Sequence, residues 1–247
     1  MTTPQTMAAD AERHLSTRAG WHEFTQEPPA PPVLLSADEY AALDDADRER
    51  YDEARLDYHA RLRVVATSTV RHTVTSGRRL VLLNRHAISA RRGLIVSGPA
   101  GTGKTIAITQ LGLAHELQDR SRHPTSPDRI PVLYVTVPPA ATPRMIAAEF
   151  ARFLGLPTTR QFNITDIIES VVGVCTKART GLILVDELHN ISLTTRHGAE
   201  VADTLKYFSE RIPATFVYAG IDIEHSTLLS GTRGAQIAGR FTLIPSH

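Results

Sequence analysis

Eight consecutive residues carry the most specific chemistry in the chain: Gly98-Pro99-Ala100-Gly101-Thr102-Gly103-Lys104-Thr105. Glycine at 98, 101 and 103 permits backbone angles that a side chain forbids, so successive amides can turn inward toward oxygen atoms. The apolar run Leu94-Ile95-Val96 precedes the loop, and a helical pattern starts at Lys104. A glycine-rich turn that opens a helix gains the positive potential of the helix N-terminus. The spacing is that of a phosphate cradle for Mg·ATP, with amides from Gly98 to Ile106 around the phosphates. Lys104 then lends its charge to the β- and γ-phosphates, and the Thr105 hydroxyl ligates Mg2+. Lysine occurs only at positions 104, 177 and 206 of this arginine-rich chain, which sets Lys104 apart.

A second constellation follows about 80 residues later, the usual order and distance for such sites. Leu182-Ile183-Leu184-Val185 is an apolar strand that ends on Asp186-Glu187. Open α/β sheets bind ligands at the C-terminal ends of their strands, so both acids are expected at the phosphates. Asp186 is expected to hold Mg2+, and Glu187 to orient the attacking water, as catalytic residues beside Lys104. His189 and Asn190 come next; they either join this site or cap a local turn.

These motifs need a scaffold that alternates strands with helices. Strands are expected near 94–96, 132–137, 182–185, 214–219 and 241–244, with helices at 104–117, 142–154, 163–179 and 199–211. The fold class is α/β, with a parallel five-stranded sheet sandwiched by helices and a helical N-terminal extension. The chain has 247 residues and divides into a flexible arm (1–35), a helical extension (36–90) and a nucleotide-binding α/β domain (91–247). The arm ends in Pro28-Pro29-Ala30-Pro31-Pro32, a stiff segment. Trp21 and Phe24 in the arm dock either on a partner or on the body. Ser36 and Glu39 have capping-box spacing for a charged helix running to about Leu62, and residues 64–90 read as one helix, or as two with the break at Gly77.

Net charge is +1, which excludes nothing, but its distribution is uneven. Nine carboxylates fall within 37–57, and none lies between Tyr58 and His115, where eight arginines accumulate. That basic run either meets phosphates or pairs with the acidic helix before it. One cysteine, Cys175, excludes an internal disulfide and fits a reducing cytoplasm; its apolar surroundings point to the core. No run of 18 apolar residues suggests a membrane span, and no signal peptide is seen.

From about Arg71 to Phe241 the chain resembles the AAA+ ATPases of transposition, the TniB/TnsC type. The resemblance lies in Gly93-Leu94-Ile95-Val96-Ser97-Gly98, in Pro131-Val132-Leu133-Tyr134-Val135 with Pro138 and Thr142-Pro143, in Asp186-Glu187-Leu188-His189-Asn190, in the run ending at Gly220, and in Arg240-Phe241. It implies an ATPase that forms homo-oligomers on double-stranded DNA and recruits a transposase. It further implies that Arg240 is a finger reaching the nucleotide of a neighbouring subunit, with Arg211 a weaker candidate. The polar sensor of that family falls here on Gly220-Ile221, with Asp222 the nearest polar group. The family's C-terminal helical lid would follow His247, so the lid is expected to be absent and hydrolysis weakened. Arg78, Arg79, Arg91 and Arg92 are DNA contacts on charge alone. A nucleotide-switched signalling or defence module, or a helicase-loader-type ATPase, are the competing functions.

Overall fold

The computed structural model describes residues 14–26, 30–60, 64–159, 162–191, 196–225 and 239–247. Two compact units are present, one formed by residues 26–65 and the other by the rest.

The small unit holds two helices, α2 (Ala37–Ala41) and α3 (Asp45–Ala60). The capping box forms: the Ser36 hydroxyl accepts from the Glu39 amide, and the Glu39 carboxylate accepts from the Ser36 amide. One continuous helix was expected here, but the chain breaks at 42–44, where Asp44 accepts from the Asp47 amide and starts α3 afresh. Tyr40 donates to Asp52 (2.7 Å), and Tyr51 accepts from the Leu35 amide (3.0 Å). Neither helix buries a residue. Polar contacts therefore hold this unit together, and each exposed one contributes little.

The large unit contains α1 (Arg18–Phe24), α4 (Ser68–Asn84), β1 (Gly93–Ser97), α5 (Lys104–Arg122), β2 (Val132–Thr136), α6 (Pro143–Phe153), α7 (Ile164–Lys177), β3 (Leu182–Asp186), α8 (Arg196–Arg211), β4 (Thr215–Gly220) and β5 (Phe241–Pro245). The five strands are all parallel, in the order β2-β3-β4-β1-β5. Every residue of β1, β3 and β4 is buried, as in strands covered on both faces. Right-handed crossovers put α5 on one face and α6, α7 and α8 on the other, because β1 to β2 crosses the sheet in the opposite sense to β2 to β3 to β4. Phe150 of α6 stacks on Phe208 of α8 at 4.4 Å, and both are fully buried. Cys175 is buried in this core, and burial pushes its thiol up to about 11.

Local chemistry sets the helix ends. Thr142 accepts from the Met145 amide with Pro143 in the first turn, Asn163 and Asp166 form a capping box, and Gly155 closes α6 at φ +69°. Of the one or two helices expected at 64–90 there is one, α4, and it runs through Gly77 without a break. Gly77 is buried on α5 so closely that a Cβ there would lie 2.2 Å from Leu111 Cδ2. The glycine serves close approach of two helices and not a turn. Asn84 ends α4 by donating to Arg92 O (2.7 Å) and Thr215 Oγ1 (2.9 Å), which ties the helix to the starts of β1 and β4.

Gly77→Val is expected to force α4 off α5 and to cost about 1–3 kcal/mol. Urea unfolding reads this as a lower midpoint; an unchanged midpoint would contradict the close packing.

Candidate functional site

β1 ends at Ser97 and hands the chain to the glycine loop, which opens α5. Gly101 and Gly103 lie at φ +79° and +80°, and a Cβ on either would meet no protein atom within 4 Å. Their constraint is therefore backbone angle, and the space in front of them is open. Gly103 is the N-cap of α5 and supplies no side-chain acceptor. The first helical bond runs from the Ala107 amide to Gly103 O (2.9 Å), so the amides of Lys104, Thr105 and Ile106 lack helical partners. Unsatisfied donors, a left-handed loop and a helix N-terminus together fit an anion with several oxygens. Lys104 is buried, and its ammonium donates to Gly98 O (2.9 Å) and to Pro99 O. The loop is braced from β5 as well: the Ser246 amide donates to Ser97 O (2.6 Å), and its hydroxyl donates to Thr102 O (3.0 Å).

Asp186 stands at the end of β3, with 3% of its surface exposed. Its Oδ2 accepts from Thr105 Oγ1 (2.7 Å) and from the Tyr134 hydroxyl (2.9 Å), and its Oδ1 accepts from the Glu187 amide (2.8 Å). Thr105 and Asp186, 81 residues apart in sequence, are thus in direct contact. A hydroxyl and a carboxylate oxygen side by side are the hard donors that Mg2+ prefers. No group of three or more His, Cys, Asp or Glu able to hold a metal exists among the described residues. Such a pair suits a cation that completes its shell with phosphate oxygens and water.

Residues 86–229 match the family model described as AAA domain, more than half of the chain. The chain belongs to that family. Among solved structures it is similar to the Aeropyrum pernix ORC1 protein in complex with DNA: TM-score 0.53, 17% identity, 76% of this chain and 47% of that one. It is also similar to the Aeropyrum pernix ORC2 protein in its ADPNP-ADP complexes: TM-score 0.53, 17% identity, 73% of this chain and 48% of that one. The chain therefore spans about half the length of these structures. At such identity the likeness is one of fold. No curated protein matches the chain.

In this AAA domain Glu187 takes the left-handed conformation (φ +58°), uncommon for a residue with a side chain. Its Oε2 lies 3.3 Å from His189 Nε2. His189 Nδ1 faces the Ile221 amide at 3.4 Å, so the proton belongs on Nε2, pointing at Glu187. His189 thereby links the Glu187 carboxylate to the end of β4. Asn190 donates to Val137 O (2.8 Å) and secures the turn beyond β2. Asp222 is exposed at φ +44°, whereas Ser97 Oγ accepts from the Ile223 amide (2.7 Å) and donates to Glu224.

Arg240 lies elsewhere. It precedes β5, whose first residue pairs with Gly93, the N-terminal end of β1. The glycine loop leaves the other end of β1, five residues away, or roughly 16 Å at about 3.3 Å per residue. Arg240 is 43% exposed and 3.9 Å from Glu210. It is not part of the site in its own chain. Arg211 is held by Glu169 through two bonds of 2.8 Å.

Tyr134 is the residue that sequence reasoning passed over. It was legible only as one polar-tipped aromatic in a largely aliphatic strand, β2, at the edge of the sheet. Burial, and next the charge of Asp186, push its phenol far above the ordinary value, so the hydroxyl stays a donor. Trp21 stacks on Tyr134 (6.1 Å, 12° between planes) and is itself buried. The Trp21 indole donates to Glu116 (3.4 Å), and Arg120 bridges Glu116 to Thr25. The choice left open for Trp21 and Phe24 thus resolves to the body: α1 is clamped on α5, one ring from the Asp186 carboxylate.

Tyr134→Phe removes one donor to Asp186 without changing volume and is expected to change the Mg·ATP affinity by about 1 kcal/mol, or roughly five-fold. Calorimetric titration measures it. Trp21 is the sole tryptophan, so its emission should respond to Mg·ATP in the wild type, and a silent Trp21 would argue against contact between α1 and the site.

Proposed function

We propose that the chain is an ATP-hydrolysing AAA+ regulator that assembles on double-stranded DNA and recruits or activates a transposase. The observation that carries the nucleotide part is the 2.7 Å contact of Thr105 with Asp186 beneath an open glycine loop. The loop amides and Lys104 bind and orient the phosphates, with Lys104 exchanging its loop carbonyls for phosphate oxygens. Mg2+, when bound, neutralises charge developing on the phosphoryl oxygens. Thr105 and Asp186 hold that ion, and the Tyr134 hydroxyl fixes the Asp186 carboxylate. Glu187 holds and polarises the attacking water. Its left-handed backbone is the kind of strain that accumulates at functional positions. His189 competes for the same carboxylate and so sets how available it is.

The position of Arg240 supports a finger acting between subunits, since it stands at the far rim from its own loop. DNA as a partner is supported by the basic 58–115 stretch and by the DNA complex of the similar Aeropyrum pernix protein. The transposition role rests on the Asp-Glu-Leu-His-Asn and Arg-Phe runs. A replication-type ATPase is the second reading, favoured by the fold shared with the Aeropyrum pernix ORC structures. Neither reading places the chain in a membrane, and no described helix is long and apolar enough to cross one.

Lys104→Ala is expected to abolish nucleotide binding in calorimetry. Glu187→Gln should bind normally and turn over about a hundred-fold more slowly; an unchanged rate removes Glu187 from the mechanism. Arg240→Ala should leave the affinity of the monomer for ATP intact and suppress only assembly-dependent hydrolysis, by up to about a thousand-fold. Weaker binding to the monomer would refute the finger. Gel filtration with ATP, ADP and duplex DNA tests assembly directly.

A further inference from the structure

A second cleft, of about 620 Å3, opens at the opposite end of the sheet from the glycine loop. Gly181 and Thr215, at the N-terminal ends of β3 and β4, form part of its wall. Six arginines line it: Arg78 from α4, Arg85 at its C-cap, Arg91 before β1, Arg122 at the end of α5, Arg129 before β2, and Arg179 between α7 and β3. Asp119 is the one carboxylate in the lining, and it is already bound by Arg129 through bonds of 2.7 and 2.6 Å. Arg91 donates to Ala87 O (2.9 Å). The guanidinium groups of Arg78, Arg85, Arg122 and Arg179 make no hydrogen bond or ion pair among the described residues.

Four unpaired guanidinium groups converge from three parts of the fold, α4 with its C-cap, the end of α5 and the α7–β3 connection, in a protein whose net charge is only +1. Like charges gathered in a concavity repel, and the arrangement destabilises the fold unless an anion offsets it. Burial drives the His115 imidazole at the cleft wall down to about 4, so it is neutral at pH 7 and the field comes from arginine. The arginine fork matches phosphate oxygens in a way that a lysine does not. No Phe, Tyr or Trp lines the cleft, so a base would find nothing to stack on. Charge spaced over several arginines with no stacking platform favours a repeating phosphodiester over an exposed base or a lone nucleotide.

We propose that this arginine cleft is a contact site for the phosphate backbone of duplex DNA, read without regard to sequence and separate from the nucleotide loop. The site deepens the DNA-bound reading given above and rests on it. The full chain is the material to test.

The test uses fluorescence anisotropy of a labelled duplex with Mg·ATP across a salt series. The cleft variant is Arg122→Glu with Arg179→Glu. The control, Arg18→Glu with Arg152→Glu, carries the same charge change on exposed arginines outside the cleft and outside the basic 58–115 stretch. Thermal unfolding and Mg·ATP calorimetry establish that both variants fold and bind nucleotide. The cleft variant should lose at least about ten-fold in affinity and lower the slope of log K against log salt by about 2, with a clearly smaller loss in the control. Equal losses, or an undiminished cleft variant, would overturn the cleft and leave the DNA reading standing. A wild type that does not bind the duplex at low salt would overturn both. Inorganic tripolyphosphate is the remaining probe: if it binds the wild type, fails on the cleft variant, and duplex binding is unchanged between them, the cleft is a small-oligophosphate site and the proposal fails.

Discussion

The hydrogen bond from Thr105 to Asp186 joins the start of α5 to the end of β3. These elements sit on either side of the crossover that builds the sheet, and the contact holds only if β1, β4 and β3 keep their parallel register. A one-residue slip would move Asp186 to the other face of the sheet. Much of the core serves this register: apolar strands buried on both faces, Asn84 tying α4 to β1 and β4, and Ser246 bracing the loop from β5. The polar groups at the centre are satisfied by one another, as buried polar atoms must be.

Around that contact the site has layers of restraint. Asp186 accepts three hydrogen bonds, and each fixes a different neighbour: the hydroxyl of the loop, the phenol of β2 and the amide of Glu187. The last of these bends the chain into the left-handed turn that presents Glu187. His189 then spans from Glu187 to the end of β4. Movement of either strand end therefore reaches the Glu187 carboxylate through at most two side chains. The N-terminal segment enters the same network through Trp21 and Tyr134.

Much of this was legible in the sequence because it rests on local rules. Gly98 to Thr105 announces its own backbone, and Leu182 to Glu187 announces a buried strand with acids at its tip. Thr142-Pro143 and Ser36 with Glu39 announce helix starts. What escaped depends on contacts distant in sequence. Gly77 looked like a breaker because its reason lies 34 residues away at Leu111. Tyr134 looked like a core aromatic because its partner, Asp186, is 52 residues on. Trp21 was left undecided because the groove that receives it is made by α5 and β2. The basic stretch could be seen, but its gathering with Arg122, Arg129 and Arg179 required the fold. Residues 226–238, between β4 and β5, lie outside the described residues.

An all-parallel sheet has two unlike rims, with every strand entering at one and leaving at the other. The phosphate loop occupies the exit rim and Arg240 the entry rim. Two copies meeting end to end across a dyad would set like rim against like, whereas head-to-tail stacking sets the entry rim of one copy on the exit rim of the next, and such stacking has a polarity. Where its rotation closes, the assembly is a ring; where it does not, the assembly has distinguishable front and back ends, each with an unfilled half-site.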